Sequence, residues 1–261
     1  MDYISTTTEM NSAIIGKCIY CGTTSDLTDE HIIPHGLAGP WKLLKASCKE
    51  CNKITSKFER DVLKNFLLLA RTGLNLPTYH PKNRPIEFEF AVKTGGVKRI
   101  LKMPASESPT LFMMPSFELP GHISANPQRT TLLITAMSLH GKGDLREFEV
   151  KNKLESISYT AKMRTTFAQL LAKIAYGMVV AQKGIDAIDD VYVLPSILGK
   201  KDDIGRWVGC ENGQKSPELL PRVKFFHTVD LLEVNKEIAA KIRLFASFQT
   251  PEYLVIVGRI K

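Results

Sequence analysis

No stretch of this 261-residue sequence approaches the roughly 20 consecutive apolar residues that a membrane-spanning helix needs, so no membrane role is expected. The N-terminus carries Asp2 and Glu9 and no long apolar core, so it does not read as a secretory leader. Cysteine is scarce. There are five, four of them in two tight pairs, which is not a secreted disulfide framework. The fifth, Cys210, reads as a small buried thiol, and the expected setting is a reducing cytoplasm. Internal repeats and low-complexity tracts are absent too, which excludes solenoids and disordered linker-type chains.

What is present is ordinary in bulk: 44% hydrophobic and 24% charged residues, enough to bury a real core. An acidic surplus is missing. Net charge is +8 with a pI near 9.2, which favours an anionic partner such as nucleic acid. Residues 1–75 hold nine Lys and Arg against eight Asp and Glu, and the remainder holds 26 against 19. The surplus basic charge therefore lies in the longer, C-terminal part.

The cysteine pairs are Cys18-Ile-Tyr-Cys21 and Cys48-Lys-Glu-Cys51, two C-x2-C knuckles that read as a four-thiolate structural zinc site. Twenty-six residues separate Cys21 from Cys48, more than an ordinary zinc ribbon uses, so something folded occupies the gap. In it lies Asp29-Glu30-His31-Ile32-Ile33-Pro34, and Asn52 directly follows the second knuckle. Phosphodiester hydrolysis needs a base to deprotonate water and a cation to offset charge on the phosphate. A neutral imidazole suits the first task, which assigns His31 as general base. A hard ion such as magnesium or manganese prefers oxygen donors, and Glu30 and Asn52 are the favoured ligands. In an extended segment Glu30 and His31 point to opposite faces and can divide the labour. Asp29 assists the metal or serves a turn. His35 reads as a loop residue approaching phosphate. Glu59 joins the metal, holds His35, binds a basic side chain, or pairs with Arg60 or a lysine on the surface. Lys49, Lys53, Lys57 and Arg60 are phosphate contacts along one helix, or simply a solvated face.

CIYC, DEHIIP and ASCKECN followed by KFE together resemble the HNH endonuclease family, in its four-cysteine zinc branch. The resemblance implies a ββα-metal finger in which a hairpin delivers His31 and a helix delivers Asn52, with Glu30 as the acidic metal ligand. It covers roughly residues 17–65. The family's middle asparagine, which braces the loop orienting the base, has no counterpart; Lys42-Leu-Leu-Lys-Ala-Ser-Cys48 stands there, leaving Lys45, Ser47 or backbone as substitutes.

The expected organisation is an arm at 1–16, the zinc nuclease module at 17–75, a proline-rich linker at 76–85, and an α+β domain at 86–261 for DNA binding or regulation. In the module, a strand is expected from Thr28 to Pro34. One helix should run from the second knuckle through Phe58, Val62, Phe66 and Leu69. Beyond it come a hairpin turning at Gly95-Gly96, irregular or edge structure punctuated by prolines, and a strand at 130–139. A long buried helix over 162–183 follows, marked by Met163, Phe167, Leu170, Leu171, Ile174, Met178 and Ala181. A short strand at 190–194 and closing strands at 236–247 and 253–260 complete it. Phe225, Phe226 and Trp207 are either stacking residues or core. Two functions are weighed: a metal-dependent DNA endonuclease, by analogy an effector of restriction or anti-phage defence acting with DNA and other defence proteins, and a zinc-stabilised nucleic-acid-binding protein without cleavage. Cleavage of RNA is chemically allowed. One module per chain makes nicking the default, with a dimer or two visits needed to break a duplex.

Overall fold

The computed structural model describes residues 14–142, 145–158, 165–211 and 226–261. Residues 1–13 of the expected arm, and Met163 and Phe225, lie outside these. The chain opens with the strand pair β1 (Leu27–His31) and β2 (Lys42–Cys48), followed by helices α1 (Lys49–Asp61) and α2 (Leu68–Gly73). The hairpin β3 (Glu87–Thr94) and β4 (Val97–Pro104) precedes β5 (Thr110–Phe117), β6 (Ile134–Lys142), α3 (Leu145–Lys151) and β7 (Ser156–Ser158). Then come α4 (Thr166–Lys183), β8 (Ile188–Val191), α5 (Leu194–Ile197), α6 (Ile204–Trp207) and β9 (Val208–Gly209). The last strands are β10 (His227–Val234), β11 (Glu237–Leu244) and β12 (Tyr253–Ile260). The architecture is α+β with the zinc-type module at the N-terminal end, as the sequence predicts.

The strands form four sheets: β1-β2, β4-β3-β7, β5-β6, and a larger sheet β10-β11-β12-β8 with β9 also on β12. The β3–β4 hairpin turns at Gly95 and Gly96, both with positive φ that a glycine pair accommodates without strain.

Several elements differ from expectation for identifiable reasons. The strand expected to reach Pro34 ends at His31, because proline has no N–H to extend the ladder and a tight 3-10 turn, His35–Leu37, begins beyond it. The loop then folds back so closely that a Cβ on Gly39 would lie 2.3 Å from the Ile33 carbonyl oxygen. The single helix expected through Leu69 is broken by a π-turn at Val62–Phe66. The wider turn keeps Val62, Phe66 and Leu69 all buried while re-aiming the chain into α2. The expected linker is ordered around a 3-10 turn at Pro81–Asn83, and Arg84 donates to the Asn75 side chain and the Leu76 carbonyl. The strand at 130–139 begins later, at Ile134. The one at 190–194 ends at Val191, where Leu194-Pro195 starts a short helix. Strand β10 escaped the periodicity reading, and the expected irregular or edge structure around Pro115 is the edge strand β5.

Helix α4 is the centre. Every residue from Leu170 to Val180 is buried, the mark of a helix enclosed on all sides. One side meets α1, and the other meets β10, β11 and β12, where Phe167 packs edge-on against Tyr253 with centroids 5.4 Å apart. One continuous apolar cluster runs from Cys18, Ile32 and Leu37 through α4 to Val229, Ile242 and Val255. Trp207 and Phe226 pack on this cluster, Trp207 stacking with Tyr192 at 4.8 Å, and so take the core reading.

His227 ties the larger sheet to the N-terminal module. Its Nδ1 accepts the Phe245 N–H at 3.2 Å, so the proton sits on Nε2, which donates to the Leu37 carbonyl at 2.7 Å. Burial holds its pKa down to about 4, the Leu37 hydrogen bond opposing only in part. A histidine depressed below its unfolded value near 6.5 contributes stability that is complete above that pH and is lost as pH falls toward 4. The loss amounts to about 3 kcal/mol by linkage. Urea midpoints measured from pH 7 to pH 4 should fall for the parent and fall less steeply for His227→Gln, which hydrogen-bonds without titrating.

Candidate functional site

The site grows from the two knuckles. Cys18 N–H donates to the Thr23 carbonyl and Gly22 N–H to the Cys18 carbonyl, both at 2.8 Å, with Gly22 in the left-handed region. This tight turn brings Cys18 and Cys21 together, and Ile19 N–H reaches Ala46 to dock the knuckle on β2. At the other end Cys48 caps α1, its sulfur accepting from Cys51 N–H at 3.5 Å. That donation, the largest influence on it, brings the Cys48 thiol down to about 7. The four Sγ atoms lie within 4.8 Å of one another, and Cys21 and Cys48 are 3.7 Å apart. A tetrahedral ion with sulfur at about 2.3 Å sets adjacent sulfurs about 3.8 Å apart. The donor set fits zinc, which a closed set of four thiolates would hold in a structural role.

Between the knuckles, β1 and β2 pair antiparallel with an irregularity: Thr28 faces Ser47, but Glu30 already faces Leu43. The two extra residues on β2 are absorbed at Lys45, in a left-handed conformation, whose N–H donates to Asp29 Oδ1 at 3.2 Å. Asp29 thus takes the turn role, holding a bulge. Glu30 and His31 then separate: Glu30 is 3% exposed while His31 is half-buried.

Burial lowers His31 to about 4, with Lys42, Lys173 and His35 adding to the effect and Asp29 opposing it. The imidazole is therefore neutral at pH 7. Its Nδ1 has no hydrogen-bond partner among the described residues, so no internal group fixes the tautomer. His35 lies beside it at a centroid distance of 5.9 Å and stacks on Tyr79 at 4.6 Å. Asn52 sits in the first turn of α1, its Oδ1 accepting from Ser56 at 3.2 Å.

Glu30 meets a partner that sequence reasoning missed. Lys173, from the middle of α4 and 1% exposed, places Nζ 2.6 Å from Glu30 Oε1 and 2.7 Å from Glu59 Oε1, and it also donates to the His31 carbonyl. Burial pulls the ammonium down, but Glu30 and then Glu59 hold it above its ordinary value. Burial likewise pushes Glu30 up while Lys173 opposes it. Glu30 Oε2 remains buried with no hydrogen bond among the described residues. Of the readings of Glu59, the basic-partner one is realised, with Lys173 rather than Arg60. A signal existed in the sequence: a lysine in a helix with no polar face has no route to water and needs buried carboxylates.

On the outer face of α1, Lys49 pairs with Asp26 at 3.3 Å and Lys53 with Glu50 at 2.7 Å, all well exposed. Lys57 and Arg60 are exposed and free of ion pairs among the described residues. An open cleft of about 210 Å³ lies between α2 and the 78–85 segment, its rim carrying Lys64, Arg71, His80 and Arg84 and no carboxylate. Arg71 donates to the Gly36 carbonyl at 2.7 Å, next to His35, so the cleft adjoins the histidine pair.

Residues 18–67 match the family model described as HNH endonuclease. No curated protein and no solved structure matches the chain. The zinc-type ββα module is thus an HNH module. Removing one thiolate tests its metal: Cys48→Ser should lose stoichiometric zinc by elemental analysis. Its Tm should also fall by roughly 10 °C, the size expected for a loss of about 3 kcal/mol in a domain of this length.

Proposed function

Starting from an HNH module, we propose that this protein is an endonuclease that hydrolyses DNA phosphodiester bonds, one strand at a time. The observation that carries the reading is His31: a neutral, half-buried imidazole with an unpartnered nitrogen, at the end of a strand between two zinc knuckles. In the proposed reaction His31 takes a proton from water as the water oxygen bonds to phosphorus, and the bond from phosphorus to the leaving oxygen breaks. Glu30 and Asn52 would hold a magnesium or manganese ion, which would offset the charge that develops on the phosphate. Lys57 and Arg60, with Lys49 and Lys53, contact the strand's phosphates from α1. The carboxylate-free cleft beside His35 and Tyr79 continues the same path, and Tyr79, 72% exposed, offers a face for a base. A single module per chain cuts one strand, so duplex breakage calls for a dimer or two visits. Such an activity, joined to a larger region, suits an effector of restriction or anti-phage defence working with other proteins in the cytoplasm.

A second reading has one specific observation in its favour. Lys173 already neutralises Glu30, which suits a zinc-stabilised nucleic-acid-binding protein that does not cut. Supercoiled plasmid with magnesium or manganese separates the two. The nuclease reading expects relaxed and then linear product from the parent, and a loss of about 100-fold or more in His31→Ala at unchanged DNA affinity. DNA binding with no cleavage by the parent supports the second reading and rejects the first.

A further inference from the structure

Resting on the nuclease reading, we infer that Lys173 is the positioning residue of the site: an ammonium from α4 that fixes the end of β1, and with it His31, by holding the His31 carbonyl between two carboxylates. An ammonium has three N–H donors and no acceptor. Lys173 meets three oxygens, Glu30 Oε1, Glu59 Oε1 and the His31 carbonyl, and nothing is left over. The two carboxylates leave one of the three donors to be met, and the acceptor that meets it is the backbone of the residue whose imidazole does the chemistry.

The substitutes that the sequence offered for the missing brace are spent elsewhere. Lys45 N–H donates to Asp29, and the Ser47 hydroxyl lies between the Cys48 carbonyl, at 3.4 Å, and the Glu30 carboxylate. Neither touches His31. Lys173 does, and its own position is fixed because it sits on a helix held on all sides. Along the same face of α4, Thr166 donates to Asp61 at 2.7 Å and the Tyr176 hydroxyl to the Ile19 carbonyl at 2.6 Å. Residues 166, 173 and 176 are spaced at helical intervals, so one stripe of α4 grips α1, β1 and the first knuckle together. Lys173 is 1% exposed and so does not contact DNA. It acts through His31 and Glu30. At such a site a shift of about 1 Å in the base costs on the order of 100-fold in rate.

The test uses the full-length, zinc-loaded protein. Lys173→Met leaves the buried Glu30 carboxylate facing the partly buried Glu59 carboxylate and is prone to unfold, so Lys173→Met/Glu59→Gln is made beside it to relieve that repulsion. Zinc content and melting curves select the folded variant. Two quantities are then read: nicking kinetics on supercoiled plasmid, and the rate at which diethyl pyrocarbonate modifies His31, followed by mass spectrometry with exposed His80 as the internal control. The expectation is a kcat lower by about 100-fold with KM within about twofold. His31 labelling should rise by about fivefold or more as the strand end loosens, with His80 unchanged. A folded variant with parental kcat and parental His31 labelling would overturn the inference. Should the zinc-loaded parent itself fail to nick DNA, the nuclease reading falls, and the labelling rate alone decides whether Lys173 holds His31 in place.

Discussion

A single buried ammonium organises this molecule. Lys173 lies in the middle of a helix that offers it no solvent, and an unpaired charge there would cost several kcal/mol. The chain meets that cost by bringing Glu30 from β1 and Glu59 from α1 to the same point, with the His31 carbonyl as the third acceptor. Three elements distant in sequence are thereby required to converge. Removing either side would strand a buried charge, a loss of about 3–5 kcal/mol in comparable pairs.

That requirement changes what the larger part of the chain is for. An HNH module reads most simply as a finger appended to a separate domain. Here its apolar residues and those of α4 belong to one cluster, and His227, Tyr176 and Thr166 add polar ties across the same boundary. The larger region carries the surplus basic charge, and it also sets the geometry of the strand that bears His31. The cleft lined by Lys64, His80 and two arginines runs from α2 to the segment that leads into β3. The arginines are engaged by backbone carbonyls and side-chain oxygens, so they shape the cleft while Lys64 and His80 stand on its rim.

The legible parts of the site were those whose chemistry is local. Two C-x2-C pairs announce their own convergence, because four thiolates near one another have few other uses. The alternation of Glu30 and His31 follows from strand geometry, and the Gly95-Gly96 turn from backbone sterics. What escaped was tertiary. Lys173 sits in a run of apolar residues at helical spacing, where a periodicity reading counts it as an interruption. Its two partners lie more than a hundred residues earlier, where Glu59 was open to a metal, to His35, to a basic side chain or to a surface pair, and nothing local chose among them. Strand β10 was missed because its first residues follow a polar, proline-containing stretch, whereas β5 realises the edge alternative of the expected irregular or edge structure, a position that tolerates Pro115. The π-turn at Val62–Phe66 has no signature in an uninterrupted apolar stripe.

Amide hydrogen exchange on the zinc-loaded protein tests the central claim most directly, since it reports whether separate elements open together. If α4 fastens the zinc module, the amides of Glu30 and His31 in β1 should exchange with the same opening free energy as those of Lys173 and Tyr176 in α4. Exchange of β1 and α1 through an opening of much lower free energy, while α4 stays protected, would mean that the module is an independent finger and would contradict the account.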